Sequence, residues 1–389
     1  MTINLHSRNI MNREQFEKFY TEHEQEMLML FQQLVETNSY SYNSTGIKTC
    51  LDLFGQTASP FLETTHLENN CLLLYNKKVE KNYVLLMGHM DTVFPESSHF
   101  QNFIIDGNLI KGPGTYDMKG GLIVVLYALK FLHNMDLLND IPVRFLINSD
   151  EEIGSLNSKK IIQEMAKDAL FAFVFEGGGI NGEIVTGRKG KIGLKGITQG
   201  EAGHAAFIIE GKKSAVLEMA YKIIQFEHLN DSQKNISCNV GKITGGTGAN
   251  TVPDYCEILI DIRYTCNEDA KALNEKIKDI ARTTHVEGVK FQLIKTSERP
   301  CMERKNNIGL FQIVTEATTD IKMKVKEEFR NGVSDANFIA EVGTPVLDGF
   351  GPIGGNDHSD KEYILKDSLK DRILLTANAL LKCYSNLKQ

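Results

Sequence analysis

The 389-residue sequence has no apolar run of the roughly 18 to 20 residues that a membrane-spanning helix needs; windows such as YVLLMGHM and GLIVVLYALKFL stop well short. It has no polybasic stretch either. With 43 Lys plus Arg against 50 Asp plus Glu, the formal net charge is −7, which argues against nucleic acid as a partner. No two cysteines are spaced C-x-x-C. The seven (Cys50, Cys71, Cys238, Cys256, Cys266, Cys301, Cys383) are scattered and odd in number, so reduced thiols fit better than a disulfide framework or a thiolate zinc site. The opening MTINLHSRNIMNREQFEKFY lacks an apolar segment behind a basic one, so a secretory signal is not expected and a cytoplasmic protein without membrane attachment is. Internal repeats and low-complexity tracts are also missing. What is present is a 42% hydrophobic chain, apolar enough to exclude disorder and long enough for one or two globular domains.

Along the chain, EQFEKFYTEHEQEMLMLFQQLVE carries apolar residues at helical spacing, and LIVVLYALKFLHNM reads as a buried helix. KNYVLLMGHMD, IPVRFLINSDEE and LFAFVFEGGG are apolar strands, each ending in polar or acidic residues. This alternation predicts an α/β fold with an open sheet whose chemistry lies at the carboxyl ends of its strands. From about residue 188 the order becomes strand, helix, strand, strand, helix, strand. That predicts a smaller α+β module over 188–299, inserted into a discontinuous larger domain of 1–187 and 300–389.

Five segments carry candidate chemistry. GHMDTVFP puts His89 and Asp91 two apart at a strand end, hence on one face. The imidazole can bind a metal and the carboxylate can orient it or touch the ion; a merely polar strand end accounts for the pair as well. In GPGTYDMKGG, Asp117 lies among glycines before an apolar helix. Its two oxygens can bridge two ions about 3.5 to 4 Å apart, or it can cap the helix. A phosphate loop fails, because no G-x-x-x-x-G-K-[ST] is present and a central acid repels phosphate. NSDEEIGS sets Asp150, Glu151 and Glu152 after a buried strand, where adjacent acids need cations or protons unless they form a solvated turn. Glu176 ends FVFEGGG, and His358 lies in GNDHSDKEY. Together His89, Asp117, Glu152, Glu176 and His358 form a ligand set suited to two Zn²⁺ per subunit, one carboxylate bridging. Such ions activate water and polarise a carbonyl. Glu151 then takes the water's proton and passes it to a leaving nitrogen, which is amide hydrolysis.

The motifs HMDTVF, YDMKGG, DEEIGS, the D-x-R strand, SERP and HSDKEY, in this order, resemble the dinuclear zinc peptidases. That family includes glutamate carboxypeptidase, acetylornithine deacetylase, succinyl-diaminopimelate desuccinylase and the aminoacylases; the likeness is greatest to the glutamate carboxypeptidases. The resemblance implies a catalytic domain with a central mixed sheet flanked by helices, plus an inserted lid and dimerisation domain. It implies that His89 and Glu176 hold one zinc, Glu152 and His358 the other, and Asp117 both. Asp91 would then stand behind His89, and Glu151 would be the general base. In the inserted module it assigns His204 of EAGHAAF to the oxyanion of a neighbouring subunit's site; taken alone, His204 reads as a packed strand histidine. Asn250, Arg263 and Arg299 match positions that bind the substrate carboxylate or transition state, where a guanidinium fork suits a free C-terminal acid. Taken alone, each Arg could equally be a surface ion pair. NGVSDANF resembles the family's substrate loop through Gly332, Ser334 and Asp335, while Asn331 and Val333 stand where glycines are usual and EGGGINGE after Glu176 departs from the pattern.

The expected function is zinc-dependent cleavage of the amide bond to a C-terminal amino acid in a small peptide or N-acyl amino acid, by a homodimer paired through the lid. A deacylase of the acetylornithine or desuccinylase type, or a di- or tripeptidase, uses the same centre. A noncatalytic amino-acid-binding or partner-docking protein is the reading from another class. Asp91 and Glu151 argue against it, because storing metal requires neither.

Overall fold

The strands Val143–Asn148, Tyr83–His89 and Ala169–Val174 run parallel and side by side, and every residue of the central one is buried, as a strand covered on both faces requires. They belong to a computed structural model that describes residues 13–207 and 211–388. Residues 1–12, part of the opening stretch without a signal-peptide pattern, lie outside the described residues. The antiparallel pair Glu63–Leu67 and Cys71–Tyr75 extends the sheet beside Val143–Asn148, and Val346–Leu347 joins parallel to Ala169–Val174 at the far edge. The result is a six-stranded mixed sheet in an α/β fold. No helix among the described residues is long and apolar enough to cross a membrane, and none of the seven cysteines forms a disulfide.

The described residues form two compact units: one from the segment up to Gly187, Arg304–Phe329 and the segment from Ser334 on, the other from Arg188–Glu303 and Arg330–Val333. In the first, the helix Lys119–Asn134 is buried along nearly its whole length because it packs against both Arg13–Glu36 and Lys366–Leu387. Phe16, Phe31, Leu126, Phe131, Leu374 and Leu380 join there in one core with the sheet residues Leu86 and Phe173. The second unit has a four-stranded antiparallel sheet, ordered Ser237–Gly245, Tyr255–Tyr264, Gly190–Gln199, Lys290–Arg299. Its helices Ala215–Glu227 and Asn267–Arg282 contribute Met219, Phe226, Leu273 and Ile277 to a separate core with Ile258 and Ile262.

The paired glycines of YDMKGG are a packing requirement. A Cβ on Gly121 would lie 1.9 Å from the Phe175 carbonyl oxygen, and one on Gly120 would lie 2.3 Å from that of Thr115. The first turn of the helix therefore abuts the strand end that leads into Glu176. Gly121→Ala forces backbone apart, and overpacking of this kind typically costs about 1–3 kcal/mol. Its thermal unfolding midpoint should fall measurably below that of the wild type; an unchanged midpoint would refute this seating of the helix.

Candidate metal centre

Parallel strands bring their carboxyl ends to one edge of the sheet, and three ligand candidates arrive there by that route. His89 is the last residue of Tyr83–His89, Glu176 follows Ala169–Val174, and Glu151 and Glu152 lie on the turn after Val143–Asn148. Asp117 comes from the loop before Lys119–Asn134 and is joined to Met118 by a cis peptide. His358 comes from the loop between Gly354–Gly355 and Tyr363–Leu365.

The two oxygens of Asp117 face different imidazoles. His89 Nε2 stands 3.0 Å from Oδ1, and His358 Nε2 stands 3.2 Å from Oδ2. Glu176 Oε1 lies 3.7 Å from His89 Nε2, and Glu152 Oε2 lies 3.0 Å from His358 Nε2. Two ligand groups result, His89 with Asp117 and Glu176, and Asp117 with Glu152 and His358, each with its donor atoms within 4.8 Å of one another. Ligands about 2.0–2.2 Å from a tetrahedral ion stand about 3.3–3.6 Å apart, so both groups fit a metal ion, with Asp117 common to the two. His89 is deeply buried, whereas the His358 side chain is 53% exposed, leaving the second group open to solvent.

The electrostatics follow from crowding acids in a buried place. Burial works against a charge on His89, but hydrogen bonds to Asp117 and Asp91 carry its imidazole well above the usual histidine range. Contacts with Asp117 and Glu152 push His358 up to about 11. Burial, reinforced by the Asp117 charge, raises Glu176 and Glu152 above ordinary carboxylates. Asp117 shifts the other way: burial opposes its charge, yet the two histidines hold its carboxyl low. The cluster demands positive charge and takes it from protons or from cations.

Buried acids fix the ligand-bearing loops. Asp91, fully buried, accepts the backbone N–H groups of Glu151 and Glu152, each at 3.2 Å, and the Ser41 hydroxyl at 2.8 Å. The His89 strand end therefore holds the Glu152 turn, a wider role than orienting one imidazole. The Glu151 charge is near enough to Glu176 to contribute to raising its carboxyl. Ser334 and Asp335 are buried. The Ser334 hydroxyl donates to Asp348 at 2.6 Å, while Asp335 accepts the Asn148 amide at 2.7 Å and the Ser155 hydroxyl beneath the same turn. Sequence reading overlooked Glu362 of HSDKEY, which is fully buried and accepts the N–H groups of Gly114, Tyr116 and Asp117 at 3.1, 2.7 and 3.0 Å. Burial pushes its carboxyl up to about 8 against the pull of these donors.

The other expected residues belong to the second unit. Gly203–His204 pairs with Thr251–Val252, and Ala205 N–H donates to the Asn250 carbonyl, so His204 and Asn250 are neighbours, both exposed. Arg263 forks onto Asp261 at 2.7 and 3.2 Å. Arg263 and buried Arg299 both stand opposite Lys191 in the sheet register, so the three cations form one row across three strands. Lys191 too was missed from sequence, because register is a tertiary property. The Gly332 carbonyl accepts from Arg188 Nη1 at 3.1 Å, and a Cβ there would meet only an ordinary contact at 3.8 Å.

Residues 85–382 match the model of peptidase family M20/M25/M40. Carboxypeptidase G2 of Pseudomonas sp. (strain RS-16) is 30% identical over 305 residues, 77% of this chain and 73% of its own. Succinyl-diaminopimelate desuccinylase of Pseudoalteromonas translucida is 23% identical over 368 residues, 88% of this chain and 95% of its own. A tripeptidase structure from Staphylococcus aureus shares the fold with a TM-score of 0.73 at 22% identity, covering 94% of this chain and 99% of that one.

Because His89, His358, Glu152 and Glu176 all hold protons more tightly than free side chains do, a metal must displace protons to bind. Affinity for zinc should therefore rise with pH, with protons released on binding. Calorimetric titrations in buffers of different ionisation enthalpy measure that release. An affinity flat with pH and no proton release would contradict the charge balance described above.

Proposed function

The chain belongs to peptidase family M20/M25/M40, and from that premise we propose that it is a dinuclear zinc hydrolase cleaving the amide bond that joins an acyl or aminoacyl group to a C-terminal amino acid. The observation that carries this reading is the pair of Asp117 oxygens turned to His89 and His358, each with a second carboxylate at hand. In this reading His89, Asp117 and Glu176 hold one ion, and Asp117, Glu152 and His358 hold the other. Two bound zinc ions supply Lewis acidity to a carbonyl and bring the pKa of a water to about 7. Glu151 would be the general base that takes a proton from water and passes it to the leaving nitrogen, while Asp91 keeps the Glu151 backbone in register with His89. Arg263, Arg299 and Lys191 form a cationic row suited to a free carboxylate, and the likeness to a carboxypeptidase supports a C-terminal amino acid as leaving group. Asp335 supports the Glu151 turn through Ser155 and Asn148, and Ser334, its neighbour in sequence, is held by Asp348.

The desuccinylase and tripeptidase likenesses support a second reading on the same centre, an N-acyl amino acid or an unblocked short peptide. Rates on glutamyl, acetyl, succinyl and unblocked substrates separate the two through kcat/KM. Chelation should abolish turnover of every accepted substrate, and zinc should restore it. Glu151→Gln should keep both ions yet lose about 10²- to 10⁴-fold in kcat, the usual contribution of proton transfer. Chelator-resistant turnover would overturn the metal reading, and undiminished kcat would remove Glu151 from its role.

We also propose that a second copy of the chain covers the helix Ala215–Glu227, contributing its His204 to the neighbouring site. Leu217, Tyr221 and Ile224 lie on one helical face at 44%, 42% and 54% exposure, and the edge strand Ser237–Gly245 belongs to the same unit. Leu217→Glu combined with Ile224→Glu should halve the mass seen by sedimentation. A wild-type monomer would dispose of the dimer.

A further inference from the structure

We propose that Glu362 is a positioning residue that sets Asp117 relative to His358, and so determines how well the second metal group binds its ion; this rests on the dinuclear reading above. The strand Tyr363–Leu365 pairs antiparallel with Leu109–Lys111, and Tyr363 opposite Lys111 is the last matched pair before the Asp117 loop. Past that point the backbone ladder stops. The side chain of the next residue, Glu362, replaces it: Oε1 accepts from Tyr116 and Asp117, and Oε2 from Gly114. Its own N–H donates to the Ser359 carbonyl at 3.2 Å, so the turn that carries His358 is closed by the same residue. One buried carboxylate thus ties together two ligand-bearing segments more than 240 residues apart.

The choice of a carboxylate follows from the count of donors. Three N–H groups converge on one fully buried spot, and only a carboxylate has enough acceptor sites in one side chain with no donor to oppose them. Gly114 takes the left-handed conformation (φ 75°) that helps turn its N–H toward Oε2 alongside the other two. The held loop reaches further through Tyr116. Its hydroxyl donates to the Gly178 carbonyl at 3.1 Å, and Cβ atoms on Gly177 and Gly354 would lie 2.1 and 2.9 Å from its ring. The segment after Glu176 and the segment before His358 therefore both close on the loop that Glu362 holds. Lys119 adds a second tether, donating to the Leu34 and Thr37 carbonyls at 2.6 and 3.1 Å, and its charge is near enough to feel that of Glu362.

Glu362→Gln keeps size and one acceptor oxygen while turning an NH₂ toward at least one donor; Glu362→Ala leaves all three donors unanswered. The test uses the full chain stripped of metal and titrated with zinc against a chromophoric chelator, with cobalt spectra and metal-free thermal midpoints recorded in parallel. The expected result is two ions per wild-type chain and, in Glu362→Gln, about 10- to 100-fold weaker binding of at least one. Altered cobalt bands, a metal-free midpoint near the wild type's, and kcat recovered by excess zinc should accompany it. Wild-type affinity for both ions in Glu362→Gln, or midpoints that drop equally with and without metal while affinity holds, would overturn the positioning role. Should Glu362→Ala fold, wild-type affinity there would overturn it too. A wild-type chain that binds fewer than two ions would overturn the dinuclear reading itself, and this inference with it.

Discussion

Asp117 presents one oxygen to each of two imidazoles, and that arrangement dictates most of what surrounds it. A carboxylate pinned between His89 and His358, with Glu152 and Glu176 close behind, concentrates negative charge where water is scarce. Such a cluster is stable only with positive charge inside it. Protons on the two histidines can supply that charge, and divalent cations supply more of it. The same groups that make the site costly without cations make it a strong cation trap, so affinity and instability have one origin.

Holding mutually repelling ligands in place calls for anchors that do not compete with them for cations. Backbone N–H groups meet that need, since each buried one requires an acceptor in any case. Asp91 accepts them from the Glu151–Glu152 turn, and Glu362 from the Asp117 loop. In both cases the anchor sits within a few residues of a different ligand, His89 or His358. The loops are thus linked in pairs through their backbones, which leaves the side chains of the ligand candidates facing one another. Gly120 and Gly121 complete the arrangement by admitting the helix of the Asp117 segment directly against backbone, where any Cβ would collide.

Four of the five ligand candidates stood out because each follows an apolar segment or opens one, a pattern that survives without tertiary knowledge; His358 stood out only as a histidine in a polar, Gly-rich loop. The α/β alternation was legible for the same reason, whereas the parallel pairing of the three central strands comes from the fold. Glu362 was not. In SDKEY it looks like one more charge on a polar loop, and only the fold shows that its neighbours bury it and aim three N–H groups at it. Asp335 illustrates the converse, a residue marked by likeness for the substrate whose side chain is occupied beneath the Glu151 turn. The row of Arg263, Lys191 and Arg299 depends on strand register across three segments, which local patterning does not encode.

Arg263 already grips Asp261 with two hydrogen bonds, which raises the question of how it would serve a substrate. The pair is partly exposed, with side chains 25% and 38% accessible. At such positions an ion pair contributes only about 0–1 kcal/mol. Exchanging the Asp261 carboxylate for another of the same geometry therefore costs little, because the incoming group offers the guanidinium an equivalent fork. Under the proposed function, Asp261 would act as a stand-in anion that keeps the Arg263 side chain oriented. Preorganisation of that kind reduces the side-chain entropy lost on binding, so under that proposal the internal ion pair would favour carboxylate recognition.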